Sequence, residues 1–208
     1  MANILIHGAG HQATSWNDTI SYLKMDQEIL CPSLFSILDG KEATYENLYR
    51  AFALYCNNIK GSLDLCGLSL GGILALNYAL DFPEKVNSLV LIGTPYKIPK
   101  FLFGIQNFIF RFLPKSVFKN MELSKQDMLA LLGSMKKLNF SQKIRDINCP
   151  TLVLCGKKDG ANLKSARFLA QHIKHAKLEI LENTGHIVNE ESPQLLAQQL
   201  DAFYLKAR

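Results

Sequence analysis

Short apolar runs alternate along the chain with longer stretches whose apolar residues recur every three or four positions. Six runs have the length and composition of buried strands: residues 3–6, 28–31, 62–66, 88–92, 151–155 and 177–181. Between them, residues 44–58, 70–80, 163–173 and 193–205 carry apolar side chains at helical spacing. Pro193 suits the first helical position and Ser192 the N-cap of the last of these. Short, mainly apolar strands separated by helices are the sequence form of a parallel sheet covered on both faces. The alternation therefore predicts an α/β fold, a six-stranded and mainly parallel sheet with helices on both faces.

One stretch interrupts the pattern. Residues 96–148 read as helical or irregular, and their first half holds Phe101, Phe103, Phe108, Phe110, Phe112 and Phe118. The expected organisation is a single domain over residues 1–208 with an inserted helical lid at about 96–148, since no repeat or Ser/Gly linker divides the chain. A chain of 208 residues, 48% of them hydrophobic, is enough for one such core.

Charge adds little. A net charge of +5 spread among 20% charged residues describes an ordinary solvated surface, so no nucleic-acid partner is expected. Lys97, Lys100, Arg111, Lys115 and Lys119 bracket the phenylalanine-rich run. That run is far too short to span a bilayer, although a basic amphipathic lid of this kind can rest on an anionic surface. The five cysteines form no CxxC pair and mostly adjoin apolar runs, which reads as free thiols in a reducing compartment. The first residues have no basic region ahead of their short apolar run, unlike a signal peptide, and a cytoplasmic location is the expectation.

The chemistry concentrates at Leu63-Asp-Leu-Cys-Gly67-Leu-Ser69-Leu-Gly71-Gly72, a strand running directly into Gly-x-Ser-x-Gly and then a helical pattern. Such a strand-to-helix turn is tight enough to exclude a Cβ at the flanking positions. It presents the serine hydroxyl at the helix N-terminus, where the Leu70 N–H can receive a developing oxyanion. A serine hydroxyl needs a base to become a nucleophile. His186 lies on a loop after the last strand run and before the last helix, as the base should. His172 and His175, at the end of a polar helix, read as solvated.

The imidazole in turn needs a carboxylate. Asp159 follows the run 151–155 and belongs at the same sheet edge as Ser69. Glu182 competes, but lies so close to His186 along one loop that bridging is difficult. A second oxyanion donor should follow the first strand, where His7-Gly8-Ala9-Gly10 stands, and the Ala9 N–H is the candidate. His7 itself is expected to brace that loop rather than do chemistry. No metal-ligand cluster and no phosphate-binding glycine loop accompanies these residues, so no metal or organic cofactor is expected.

Taken together, these residues resemble the α/β-hydrolase family, in particular compact esterase-like members with an inserted lid. The resemblance is carried by His7-Gly8 with Trp16 following, by the elbow at residues 67–72, by residues 147–159 with Pro150, Gly156 and Asp159, and by Gly185-His186 followed by Glu191-Ser-Pro193. It implies a Ser69, Asp159, His186 triad with Ala9 and Leu70 as oxyanion hole, and a truncated α/β-hydrolase fold lacking two leading strands. One departure concerns the acid: Gly-Ala-Asn follows Asp159 in place of the proline-containing turn often found there.

The expected activity is that of a serine hydrolase that cleaves a carboxylic ester of a small or apolar acyl substrate through an acyl-serine intermediate. Leu68, Leu70 and Ile73 around the serine point to an apolar rather than a charged acyl group. Thioesterase and carbon–carbon bond hydrolysis use the same three residues and remain alternatives. So does, in another class, a non-catalytic protein that binds a small ligand.

Overall fold

The computed structural model describes residues 1–25, 27–98 and 123–207. The strands are β1 (Ala2–Ile6), β2 (Ile29–Leu30), β3 (Leu63–Leu68), β4 (Val86–Ile92), β5 (Thr151–Gly156) and β6 (Ala176–Leu181). They form one sheet in the order β2-β1-β3-β4-β5-β6, every pairing parallel. The described α-helices are α1 (Asn17–Tyr22), α2 (Tyr45–Asn57), α3 (Leu70–Asp81), α4 (Lys125–Ser134), α5 (Leu163–His172), α6 (Val188–Glu191) and α7 (Pro193–Ala207).

The period-two alternation of each strand divides the core into two halves. Ile4, Ile6, Leu63, Leu65, Leu89, Leu91, Val153 and Cys155 face α2, α3, α4 and α5. Their neighbours Leu5, Cys66, Leu68, Val90, Ile92, Leu152 and Leu154 face Trp16 and the apolar side of α7, including Leu196, Leu200 and Tyr204. Both faces are thus covered, which is why the central strands read as largely apolar runs. Burying each leucine of this kind contributes roughly 1.5–3 kcal/mol.

Differences from the expected elements have local causes. The second strand shrinks to Ile29–Leu30, which pair with Asn3 and Ile4 of β1 at one edge of the sheet. The helix expected to begin at Thr44 begins one residue later, since the Thr44 side chain caps it by accepting the Asn47 N–H at 3.2 Å. Ser192 directs its hydroxyl to Thr184 Oγ1 at 2.8 Å, while its carbonyl accepts the Leu196 N–H in the first turn of α7. His172 is not a solvated residue: its ring stacks on Phe168, which stacks on Tyr96, with centroids 3.9 and 4.0 Å apart.

Of the inserted stretch, the two ends are described. Tyr96 O accepts the Phe140 N–H at 2.9 Å, and Leu138 O accepts the Ile98 N–H at 3.1 Å. The phenylalanines from Phe101 to Phe118 and the cations Lys100, Arg111, Lys115 and Lys119 lie outside the described residues, and with them that part of the expected lid and the expected contact with a membrane surface. Among the described residues no helix is long and apolar enough to cross a membrane.

Strand order places the site. From β1 the chain goes outward to β2, then returns across β1 to build β3 through β6 on the other side. The loops leaving the carboxyl ends of β1 and β3 consequently diverge to opposite faces and leave a crevice between them. Residues 7–10 and Ser69 flank that crevice.

Candidate active site

Ser69 has φ +53° and ψ −111°, a conformation strained for any residue with a side chain. The turn is held by close backbone packing. A Cβ on Gly67 would stand 2.3 Å from the Gly71 carbonyl, and one on Gly71 would stand 2.2 Å from Ile6 O, so the strand, the turn and the first turn of α3 can approach only without side chains there. The Ser69 N–H donates to Ile92 O at 2.8 Å, which ties the elbow to the end of β4. Leu68, Leu70 and Ile73, expected to flavour an acyl pocket, are 2% exposed or less and belong to the core on the two sides of the sheet. They pack the elbow from beneath.

Asp159 and His186 meet at 2.7 Å, Oδ2 to Nδ1. Each arrives from a loop at the carboxyl edge. Asp159 sits in a turn in which Gly156 O accepts its N–H, and Asp159 O accepts those of Asn162 and Leu163. The histidine loop is joined to that turn where the Lys158 N–H donates to Thr184 O at 2.9 Å. Because a carboxylate only accepts, Nδ1 of His186 carries the proton and Nε2 keeps its basic lone pair. The ring lies over Gly93: a Cβ there would be 3.0 Å from Nδ1 and Cε1. Gly93 directly follows Ile92, the residue that holds the Ser69 amide, so the pair stands beside the elbow. No hydrogen bond joins Ser69 to His186 among the described residues.

The electrostatics favour an ionised acid. Asp159 is buried, its side chain 4% exposed, and burial alone would raise its pKa. Hydrogen bonds from His186 and Asn162, together with the charge the imidazole can carry, outweigh burial and hold it below its ordinary value. Asn162 Nδ2 reaches both carboxylate oxygens, at 3.0 and 2.9 Å. Its 3.3 Å approach to His186 Nδ1 sets donor against donor and is a contact, not a hydrogen bond. Asn162 stands in the Gly-Ala-Asn segment where the chain departs from the proline-containing turn, and nothing in the sequence pattern signals its role. Glu182, the competing acid, is exposed and paired with Lys157 at 2.8 Å, away from the imidazole.

The loop after β1 is organised by His7, which is fully buried. Its Nε2 accepts the Leu34 N–H at 3.1 Å, so Nδ1 carries the proton and donates to Gly8 O at 3.0 Å. The His11 N–H reaches the same carbonyl at 3.3 Å. Since the peptide is planar and trans, drawing the Gly8 C=O toward these donors turns the Ala9 N–H the other way. A Cβ on Gly8 would lie 3.6 Å from the Ser69 Cβ, which places this loop against the elbow. Leu70, at the first position of α3, has an N–H with no acceptor inside the helix. Beside them, His11 Nδ1 meets Glu190 Oε1 at 3.0 Å.

No cysteine rivals the serine. All five thiols are free, and burial pushes Cys56 and Cys155 up to about 12 and Cys31 up to about 11, which leaves them protonated. Among the described residues no cluster of His, Cys, Asp and Glu could hold a metal ion.

Comparison with known proteins agrees with this architecture. The chain is 22% identical to a monoacylglycerol lipase of Xenopus laevis, over 96% of this chain and 74% of the relative. It is 23% identical to 3-oxoadipate enol-lactonase 2 of Acinetobacter baylyi, over 97% of this chain and 87% of the relative. Its fold superposes on a thermophilic esterase from Thermogutta terrifontis with a TM-score of 0.79 at 20% identity, covering 100% of this chain and 90% of that one. Residues 4–199 match the alpha/beta hydrolase family as a whole, and the chain belongs to that family.

Proposed function

We propose that the protein is a serine hydrolase that cleaves a carboxylic ester bearing a small or apolar acyl group, with Ser69 as nucleophile, His186 as general base and Asp159 as its orienting acid. The observation that carries this reading is the 2.7 Å pair of Asp159 and His186 standing over Gly93, beside the strained Ser69 elbow. Nε2 of His186 takes the Ser69 proton as Oγ attacks the ester carbonyl. The carbonyl π-electrons move onto oxygen, and the Leu70 and Ala9 amides receive that oxyanion. Collapse expels the alcohol, which leaves with the proton carried by His186. Water, deprotonated by the same nitrogen, then releases the acid and restores Ser69. Asp159 remains a carboxylate throughout, consistent with its lowered pKa.

An ester substrate is further supported by the lipase and lactonase named among the relatives. The polar pair beside Gly8, His11 and Glu190, is spent on itself, which suits an uncharged acyl group. The test is labelling with a fluorophosphonate followed by peptide mapping. A single adduct on Ser69 is expected, absent in Ser69→Ala and slowed about a thousandfold or more in His186→Ala. A panel of acyl esters, thioesters and vinylogous diketones then identifies the bond. Folded protein without an adduct overturns the reading in favour of a binding protein.

A further inference from the structure

We infer that Glu191 is a positioning residue for His186, a carboxylate clamp on the backbone that carries the imidazole; this rests on the reading of His186 as the base. Glu191 Oε2 accepts the Gly185 N–H at 2.6 Å, and Oε1 accepts the Ile187 N–H at 3.1 Å. Each oxygen thus serves one of the two amides that flank His186. The ring closes on itself, for the Glu191 N–H returns to Ile187 O at 2.8 Å, and the Thr184 and Ser192 hydroxyls meet at 2.8 Å across its base.

His186 needs such a device. Its side chain is 39% exposed, so core packing does not hold the ring, and Asp159 fixes only the Nδ1 edge. The direction in which Nε2 points therefore depends on the backbone at residues 185–187. Charge-assisted bonds to a carboxylate are shorter and about twice as strong as neutral ones, and two of them from one rigid group restrain both the position and the tilt of the loop. Among the described residues Glu191 makes no ion pair, so its charge is committed to these amides. Glutamine presents one acceptor oxygen and a competing NH₂ group, and so can serve only one amide. Alanine serves neither.

The experiment compares wild type, Glu191→Gln and Glu191→Ala in three measurements: kcat and KM on an ester that the wild type turns over, the rate of fluorophosphonate labelling at Ser69, and the far-downfield proton resonance of His186 Nδ1–H. Expected are a fall in kcat and labelling rate of about 10-fold for Gln and about 100-fold for Ala, with KM little changed. The downfield proton should weaken in the first variant and broaden away in the second. Rates are normalised to folded protein, so a merely structural glutamate would lower the melting temperature and leave rate and resonance intact; that outcome overturns the inference. Should Glu191→Ala fail to fold, Glu191→Gln decides by the same readouts. If the wild type itself does not label at Ser69, the catalytic reading falls, and the clamp is still decided by the His186 proton.

Discussion

Replacing Gly93 by alanine adds a single methyl group at the most crowded point of the site. That methyl would stand 3.0 Å from Nδ1 and Cε1 of His186 and 3.2 Å from Asp159 Oδ2, so the imidazole has to retreat by a few tenths of an ångström. The backbone adds a separate cost. Gly93 has φ +52°, a conformation that costs an L-residue about 1–2 kcal/mol. Crowding adds about 1–3 kcal/mol, for a total loss of about 2–5 kcal/mol, which for a domain of this size lowers the melting temperature by about 4–20 °C. The displaced ring should cost about 10- to 100-fold in kcat/KM on a short acyl ester, and as much in the rate of fluorophosphonate labelling. Gly40→Ala separates the two effects: φ there is +74° and nothing lies within 4 Å of the added carbon, so it should lose stability while leaving the rate per folded molecule unchanged. If Gly93→Ala labels Ser69 at the wild-type rate, either the imidazole does not lie over Gly93 or it is not the base.

Asn162→Ala removes both hydrogen bonds that its side chain donates to Asp159, leaving that from His186, and should cost about 1.5–3 kcal/mol at neutral pH. Because the folded pKa of Asp159 is depressed, its contribution to stability is complete above the ordinary carboxylate value and is lost as pH falls through the folded value. The gap between wild type and variant in urea midpoints should therefore close toward acid pH, and a gap independent of pH would contradict the account. His7→Ala leaves the buried Leu34 N–H without its acceptor and frees the Gly8 carbonyl; a loss of about 2–4 kcal/mol in denaturant unfolding and slower Ser69 labelling are expected. Unchanged labelling would show that the Ala9 amide is oriented by something else. Ser69→Gly relieves the strain at φ +53° and should raise stability by about 1 kcal/mol in calorimetry, whereas Ser69→Ala, equally unreactive, should not.

The sequence by itself determined the architecture and singled out Asp159 and His186, which the fold pairs at 2.7 Å at the sheet edge. Burial on both faces favours apolar side chains at most positions of a parallel strand, so β3, β4 and β5 are legible as largely apolar runs, with Asp64 and Ser88 as buried exceptions that bond each other. The elbow was legible because close backbone contact forbids a Cβ at Gly67 and Gly71, and that prohibition is written in glycine. Local chemistry alone did not reveal what the tertiary structure decided. Helix α1 carries a polar sequence and exists because Trp16 and Thr19 are buried beneath α6, where Thr19 Oγ1 donates to Asn189 O. His172 looks solvated in sequence because the stack it completes on Phe168 is covered on the far side by Tyr96, which comes from a distant loop. The strand order, which opens the crevice between β1 and β3, follows from how the covering helices pack. Asn162 and Glu191 bond within their own turns, to Asp159 and to the Gly185 and Ile187 amides, and these bonds bear on the site only because Asp159 and His186 meet across two separate loops. Glu191 could be named within the segment that follows His186, but which groups it and Asn162 bond leaves no periodicity in the sequence, so only the folded chain discloses those contacts.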